Sequence, residues 1–315
     1  MNSLFDPEPS FDRDALRDRL NELAARGIYI GGSSWKYEGW LDTIYSRSRY
    51  LTRGKFSKKL FEDTCLAEYA TVFPAVCGDF AFYQFPSAEL WAKLFRQTPS
   101  SFRFGFKVPE QITVESWPVH PKYGALAGLE NPTFLDTELF ERSFLQVLEP
   151  WRERVGVLIF EFGTFRGWSF ANVEEFVRML DRFLERLPKA WRFAVEIRNA
   201  DFLRPVYFDC LRAHNVSHVY NGWTRMPEIA DQMALAGSRT SDLIVARALL
   251  KRGRPYEEAV KTFAPYSHVQ EVNEPVRRAL RELIDIAIVD GQPAFIFVNN
   301  RLEGNSPGTI VAITE

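Results

Sequence analysis

Uninterrupted apolar runs that end in a charge or an amide set the narrowest limits on what this chain can fold into. Seven such runs occur, among them FRFGFK at Lys107, VLIFEF at Glu161, FAVEIR at Glu196 and Arg198, and AFIFVNN at Asn299. A strand with one solvated face alternates polar and apolar residues, whereas a strand covered on both faces does not. A charge at the tip of such a strand is tolerable only where solvent, a partner or a ligand receives it. The runs therefore read as strands of a parallel barrel whose carboxyl ends face a site.

The segments between them carry helical spacing. Phe11, Leu16, Leu20 and Leu23 share one face of an N-terminal helix, and IYIGGSS from Ile28 is the first strand. A helix with Phe61, Leu66 and Tyr69 leads to a run over 75–82. Ser87 then caps a helix carrying Leu90, Trp91, Leu94 and Phe95. Strands follow at 102–108, 155–162, 192–198, 216–220, 242–248 and 294–299. Helices are predicted near 136–148, from Phe176 to Leu187, over 206–214, weakly over 227–235, and from Asn273 with Pro275 through Ala287. Eight strands alternating with helices predict an α/β fold, a TIM-type (β/α)8 barrel in a single domain over 28–315. An N-terminal helical extension, 1–27, precedes it, and 47–58 and 114–135 are long loops.

Lys and Arg total 39 and Asp and Glu 41, leaving a formal charge of −2. Such a balance offers no bulk attraction for polyanions or anionic membranes, so any phosphate site must be local. Three widely spaced cysteines, Cys65, Cys77 and Cys210, contain no CxxC pair and argue against a disulfide framework or a structural zinc. No stretch approaches the ~20 apolar residues of a membrane span. The expectation is a cytoplasmic protein without a membrane partner, its oligomeric state left open.

WKYEGW (35–40), FAFYQFPSAELW (80–91), TPSSFRFGFKVPEQIT (98–113), LIFEFGTF (158–165), FAVEIRN (193–199) and FVNN (297–300) occur in that order. As a set they resemble the DUF72, or YecE-like, family. The resemblance implies a TIM barrel without an established activity, for which a phosphodiesterase or nuclease role follows only from general likeness to metal-dependent barrel nucleases. The chain departs from the family pattern at several positions. Cys77 stands where relatives usually carry Glu, Glu161 where they carry Gln, and Asn199 and Leu249 where they carry His.

Glu196 and Arg198 alternate along a strand and so share a face. An Arg fork suits phosphate or carboxylate, although an internal ion pair fits the same two residues. Lys107 and Arg247 add positive charge to the same rim, either to hold an anion or to neutralise neighbouring carboxylates. Glu161, Asn299 and Asn300 are oxygen donors for a hard cation, but the supply is thin. None of the four histidines, His120, His214, His218 and His268, sits at ligand spacing, so no metal ligands are assigned, and the sequence names no cofactor. Trp35, Tyr37, Trp40, Tyr83 and Trp223 fall in loops or strand ends, where rings stack a base or a sugar or simply pack as core. Gly31 and Gly32 before Ser33 and Ser34 are a weak phosphate-loop signal. Cys77 reads as a nucleophile or, more commonly, as a small buried hydrophobe.

Two readings follow. In one, Glu161 and Glu196 are catalytic in a phosphodiesterase or nuclease-type hydrolase, and Lys107, Arg198, Arg247, Asn299, Asn300, Tyr83, Trp35 and Tyr37 bind a small anionic ligand or nucleic acid. In the other, the barrel binds or regulates without turnover, having lost polar groups at Cys77, Asn199 and Leu249.

Overall fold

The computed structural model describes residues 11–165 and 169–315. Eight parallel strands, β1 (Ile28–Gly32), β2 (Ala75–Gly78), β3 (Arg103–Lys107), β4 (Val155–Phe162), β5 (Phe193–Ile197), β6 (Ser217–Gly222), β7 (Ile244–Ala248) and β8 (Ala294–Val298), close into one barrel. Each pairs with its sequence neighbour, and β1 closes the ring between β2 and β8. Nearly every strand residue is buried, because helices cover the outer face and side chains fill the inner one. The α/β barrel expected from the sequence is the observed fold.

Helix starts follow local chemistry. The Ser87 hydroxyl accepts from Leu90 N–H at the start of Ala88–Arg96, and Asn273 accepts from Val276 N–H at the start of Glu274–Asp290. Asp12 caps Arg13–Ala25, which buries Leu16 and Leu20 against the body. The loop over 47–58 contains a helical turn, Arg47–Tyr50, and a short hairpin pairing Leu51–Thr52 with Lys55–Phe56. The helix near 136–148 is interrupted by a π-helical segment, Glu141–Leu145. Two further helices escaped the periodicity reading. Tyr256–Phe263 is too short to repeat a pattern, and Ser306–Thr314 is too apolar to show one, its start being fixed by Asn305 accepting from Gly308 N–H. Among the described residues no helix is long and apolar enough to cross a membrane.

Inside the barrel, Ala75, Cys77, Val157, Ile159, Ala194, Val219, Val245, Phe295 and Phe297 form one apolar plug. The two phenylalanines fit because glycines face them. A Cβ on Gly105 would stand 2.7 Å from the Phe297 ring, and one on Gly156 would stand 2.2 Å from the Phe295 ring. Gly105→Ala is accordingly expected to destabilise by ~1–3 kcal/mol through overpacking. Urea denaturation should show that loss, and Phe297→Leu in the same chain should recover part of it.

His218, on the outer face of β6, is buried among Tyr207, Phe208 and Tyr220. Burial holds its pKa down at about 3 against an ordinary 6.5. Its neutral form therefore contributes stability that is fully present above pH 6.5 and is lost as pH falls toward 3. Between pH 6.5 and 4.5 that loss amounts to about 2–3 kcal/mol. His218→Phe should remove it, as denaturation midpoints across that window will show.

Candidate functional site

Above the plug, the alternation that points Ile159, Ala194, Val219 and Val245 inward carries on to Glu161, Glu196, Asn221 and Arg247. Glu161 and Glu196 lie side by side in the β4–β5 register, an arrangement two ionised carboxylates tolerate when cations lie between them. Glu161 Oε2 accepts from Lys107 Nζ at 2.9 Å, Arg198 Nη2 at 2.8 Å and Arg247 Nη1 at 2.7 Å. Glu196 Oε1 accepts from Arg198 at 2.9 Å, and its Oε2 accepts from Arg247 Nη1. Arg247 Nη2 reaches Asp79 Oδ1 at 3.2 Å. Three cations and three carboxylates thus meet at one mouth with no net charge.

Exposure rises across this cluster. The Glu196 side chain is 0% and that of Arg247 1% exposed, Lys107 and Arg198 reach 7% and 12%, and Asp79 reaches 36%. Aromatic faces flank the two outer cations: Lys107 Nζ lies 3.7 Å from the Phe82 ring centre, and the Arg198 guanidinium 3.8 Å from that of Trp223. Burial pushes the Glu161 carboxyl up, but Arg198, Lys107 and Arg247 together outweigh it and hold it well below its ordinary 4.5. Burial works against the charge on Arg247 as well, and Glu196 leads the groups that keep it protonated. Two buried atoms in adjacent register, Arg247 Nε and Asn221 Oδ1, have no hydrogen-bond partner among the described residues.

The other predicted residues divide. Asn299 donates to Ser33 Oγ at 2.5 Å and accepts from Arg301 N–H, and Asn300 Oδ1 accepts from Ser306 N–H. Asn299 thus joins the end of β8 to the end of β1 and to the turn that follows it, and each of the two amide oxygens already accepts one backbone N–H. The phosphate-loop reading of Gly31 to Ser34 is corrected, since Gly32 N–H donates to Tyr69 Oη and Ser33 N–H to the Val298 carbonyl. Cys77 lies in the plug with its thiol raised to about 12 by burial, which removes it as a nucleophile. Tyr37 packs on Trp40 and Tyr266, while Tyr83 is exposed, with Lys122 over its ring. Trp35 is buried edge-on to Phe80 and, with Ser34, Lys36, Asp79 and Gln84, lines a cleft of about 300 Å³ beside the mouth. Asn199 accepts from Phe165 N–H, and Leu249 packs with Ala259 and Phe263.

Sequence reasoning missed Asp79, which follows Cys77 by two residues and supplies a carboxylate at the end of β2, and Asn221, which continues the inward alternation of β6. One histidine does lie within reach of other ligand-type side chains. His214 stands four residues after Cys210 and meets Asp181 from the preceding helix, a contact that spacing along the chain conceals.

A closed eight-stranded barrel with a charged, polar layer at its carboxyl mouth defines the class of protein. Residues 29–315 match the family described as "Protein of unknown function DUF72", and the chain belongs to that family. It is 27% identical over 175 residues to the UPF0759 protein YecE of Escherichia coli strain K12, covering 56% of this chain and 50% of that one, so it spans about half the length of the curated relatives it matches. Two crystal structures share the fold. A DUF72 family protein from Thermotoga maritima has a TM-score of 0.57 at 18% identity, covering 91% of this chain and 96% of the other. One from Enterococcus faecalis has a TM-score of 0.57 at 18% identity, covering 91% and 94%.

Removing one charge from the cluster leaves its partners buried without compensation, so Glu161→Gln should cost ~3–5 kcal/mol at neutral pH. Because the folded carboxyl has the lower pKa, its contribution is fully present above 4.5 and is lost progressively as pH falls from there toward the much lower folded value. The stability gap between wild type and variant should narrow in acid, and paired urea titrations at pH 7 and pH 3.5 will measure it.

Proposed function

We propose that the mouth binds a compact oxyanion, a phosphate or phosphoester group, between Lys107 and Arg198. The observation that carries this reading is that both cations donate to the same oxygen, Glu161 Oε2, from the more open side of the cluster. Donors that share one small acceptor are close enough for one oxyanion to span both. Lys107 keeps N–H donors beyond the one given to Glu161, and the carboxylates beneath hold both cations in place before the ligand arrives. The cleft beside Trp35 offers room for the organic part of a phosphoester.

Binding without turnover is the better supported of the two readings. A carboxylate held far below its ordinary pKa is a weak base, and Glu196 has both oxygens engaged by arginines. The same cations oppose a divalent metal at Glu161.

Calorimetric titration with inorganic phosphate, pyrophosphate and a nucleoside diphosphate tests the assignment. Lys107→Met and Arg198→Met should each weaken binding about tenfold or more, the worth of one charge-assisted hydrogen bond. Unchanged affinity in both variants would remove the site. Hydrolysis of bis(4-nitrophenyl) phosphate by the wild type, lost in a folded Glu161→Gln variant, would move the assignment to a hydrolase.

A further inference from the structure

The outer helical layer holds a second group of chemistry-bearing side chains, separate from the mouth. Helix Pro205–Ala213 ends at His214, and Cys210 and His214, four residues apart, lie on one of its faces. Asp181 comes from the neighbouring helix Val173–Arg186. Asp181 Oδ1 stands 2.7 Å from His214 Nε2 and 3.9 Å from Cys210 Sγ, and the three ligating atoms all lie within 4.8 Å of one another.

We propose that Asp181, Cys210 and His214 form a binding site for a zinc-class divalent ion that clamps these two helices together. Donors around a tetrahedral zinc are separated by roughly 3.3–3.7 Å, given bonds of about 2.0–2.3 Å. The observed spacings bracket that range, so small side-chain rotations suffice, with the Asp181–His214 hydrogen bond opening to admit the ion. A thiolate, an imidazole and a carboxylate suit zinc, whereas magnesium and calcium take oxygen donors alone. The Cys210 and His214 side chains are largely covered and that of Asp181 is 55% exposed, so the site opens on one side, where water completes the coordination. On binding, the Cys210 thiol gives up its proton to solvent. The two helices follow β4 and β5, which carry Glu161 and Glu196, and the clamp is independent of what the mouth binds.

Cobalt is the probe for the thiolate. Titration of the full chain with Co²⁺ should produce a thiolate-to-cobalt charge-transfer band that Zn²⁺ abolishes at one equivalent, and Zn²⁺ should raise the thermal midpoint. Cys210→Ser should lose the band, and Asp181→Asn and His214→Gln should weaken binding about tenfold or more. Wild-type protein that gives no such band, or Cys210→Ser that keeps it, would overturn the proposal. The wild-type spectrum decides the matter even if a variant fails to fold, and an unchanged midpoint with zinc would leave only an Asp181–His214 hydrogen bond.

Discussion

The mouth of this barrel depends on one carboxylate oxygen. Glu161 Oε2 receives Lys107, Arg198 and Arg247 from three different strand ends, and Glu196 repeats the arrangement with the two arginines. Withdrawing a charge from water costs several kcal/mol, offset only where partners and hydrogen bonds replace the solvent. Each member of the layer is therefore tolerable only because the others are there. The apolar plug beneath and the rings of Phe82 and Trp223 above confine the layer to one level of the barrel.

Local neutrality and oxyanion binding are compatible here. The carboxylates use part of the donor capacity of Lys107 and Arg198 while fixing their positions, so the proposed oxyanion would meet cations already ordered and partly desolvated. The chain's overall charge of −2 says nothing against this, because the field at a narrow mouth is set by the nearest groups. Asp79, the most exposed member of the layer, guards one side and would repel anions that approach along the Trp35 cleft unless a neutral part of the ligand lies there.

Much of this was legible in the sequence. Eight buried strands without alternation, separated by amphipathic helices, fix the barrel, and the charges that end them fix the level of the polar layer. Lys107, Glu161, Glu196, Arg198 and Arg247 could be placed on one rim because alternate strand residues face the same way. Their mutual pairing could not, since which side chains meet across a barrel depends on register and tilt. Asp79 escaped notice because β2 ends at Gly78 and a helical turn follows, so its inward direction is set by the turn. Asn299 and Asn300 looked like ligands because an amide that ends a strand and an amide that caps a turn read alike. The Asp181, Cys210 and His214 group joins two helices, and no spacing within one segment announces it.

A crystal of the protein soaked with tungstate, an anomalously scattering phosphate analogue, tests the central claim most directly. The expected result is a single strong peak at the mouth within hydrogen-bonding distance of both Lys107 Nζ and the Arg198 guanidinium, with Glu161 still in contact with both. An empty mouth at saturating tungstate, or a peak elsewhere on the molecule alone, would contradict the account.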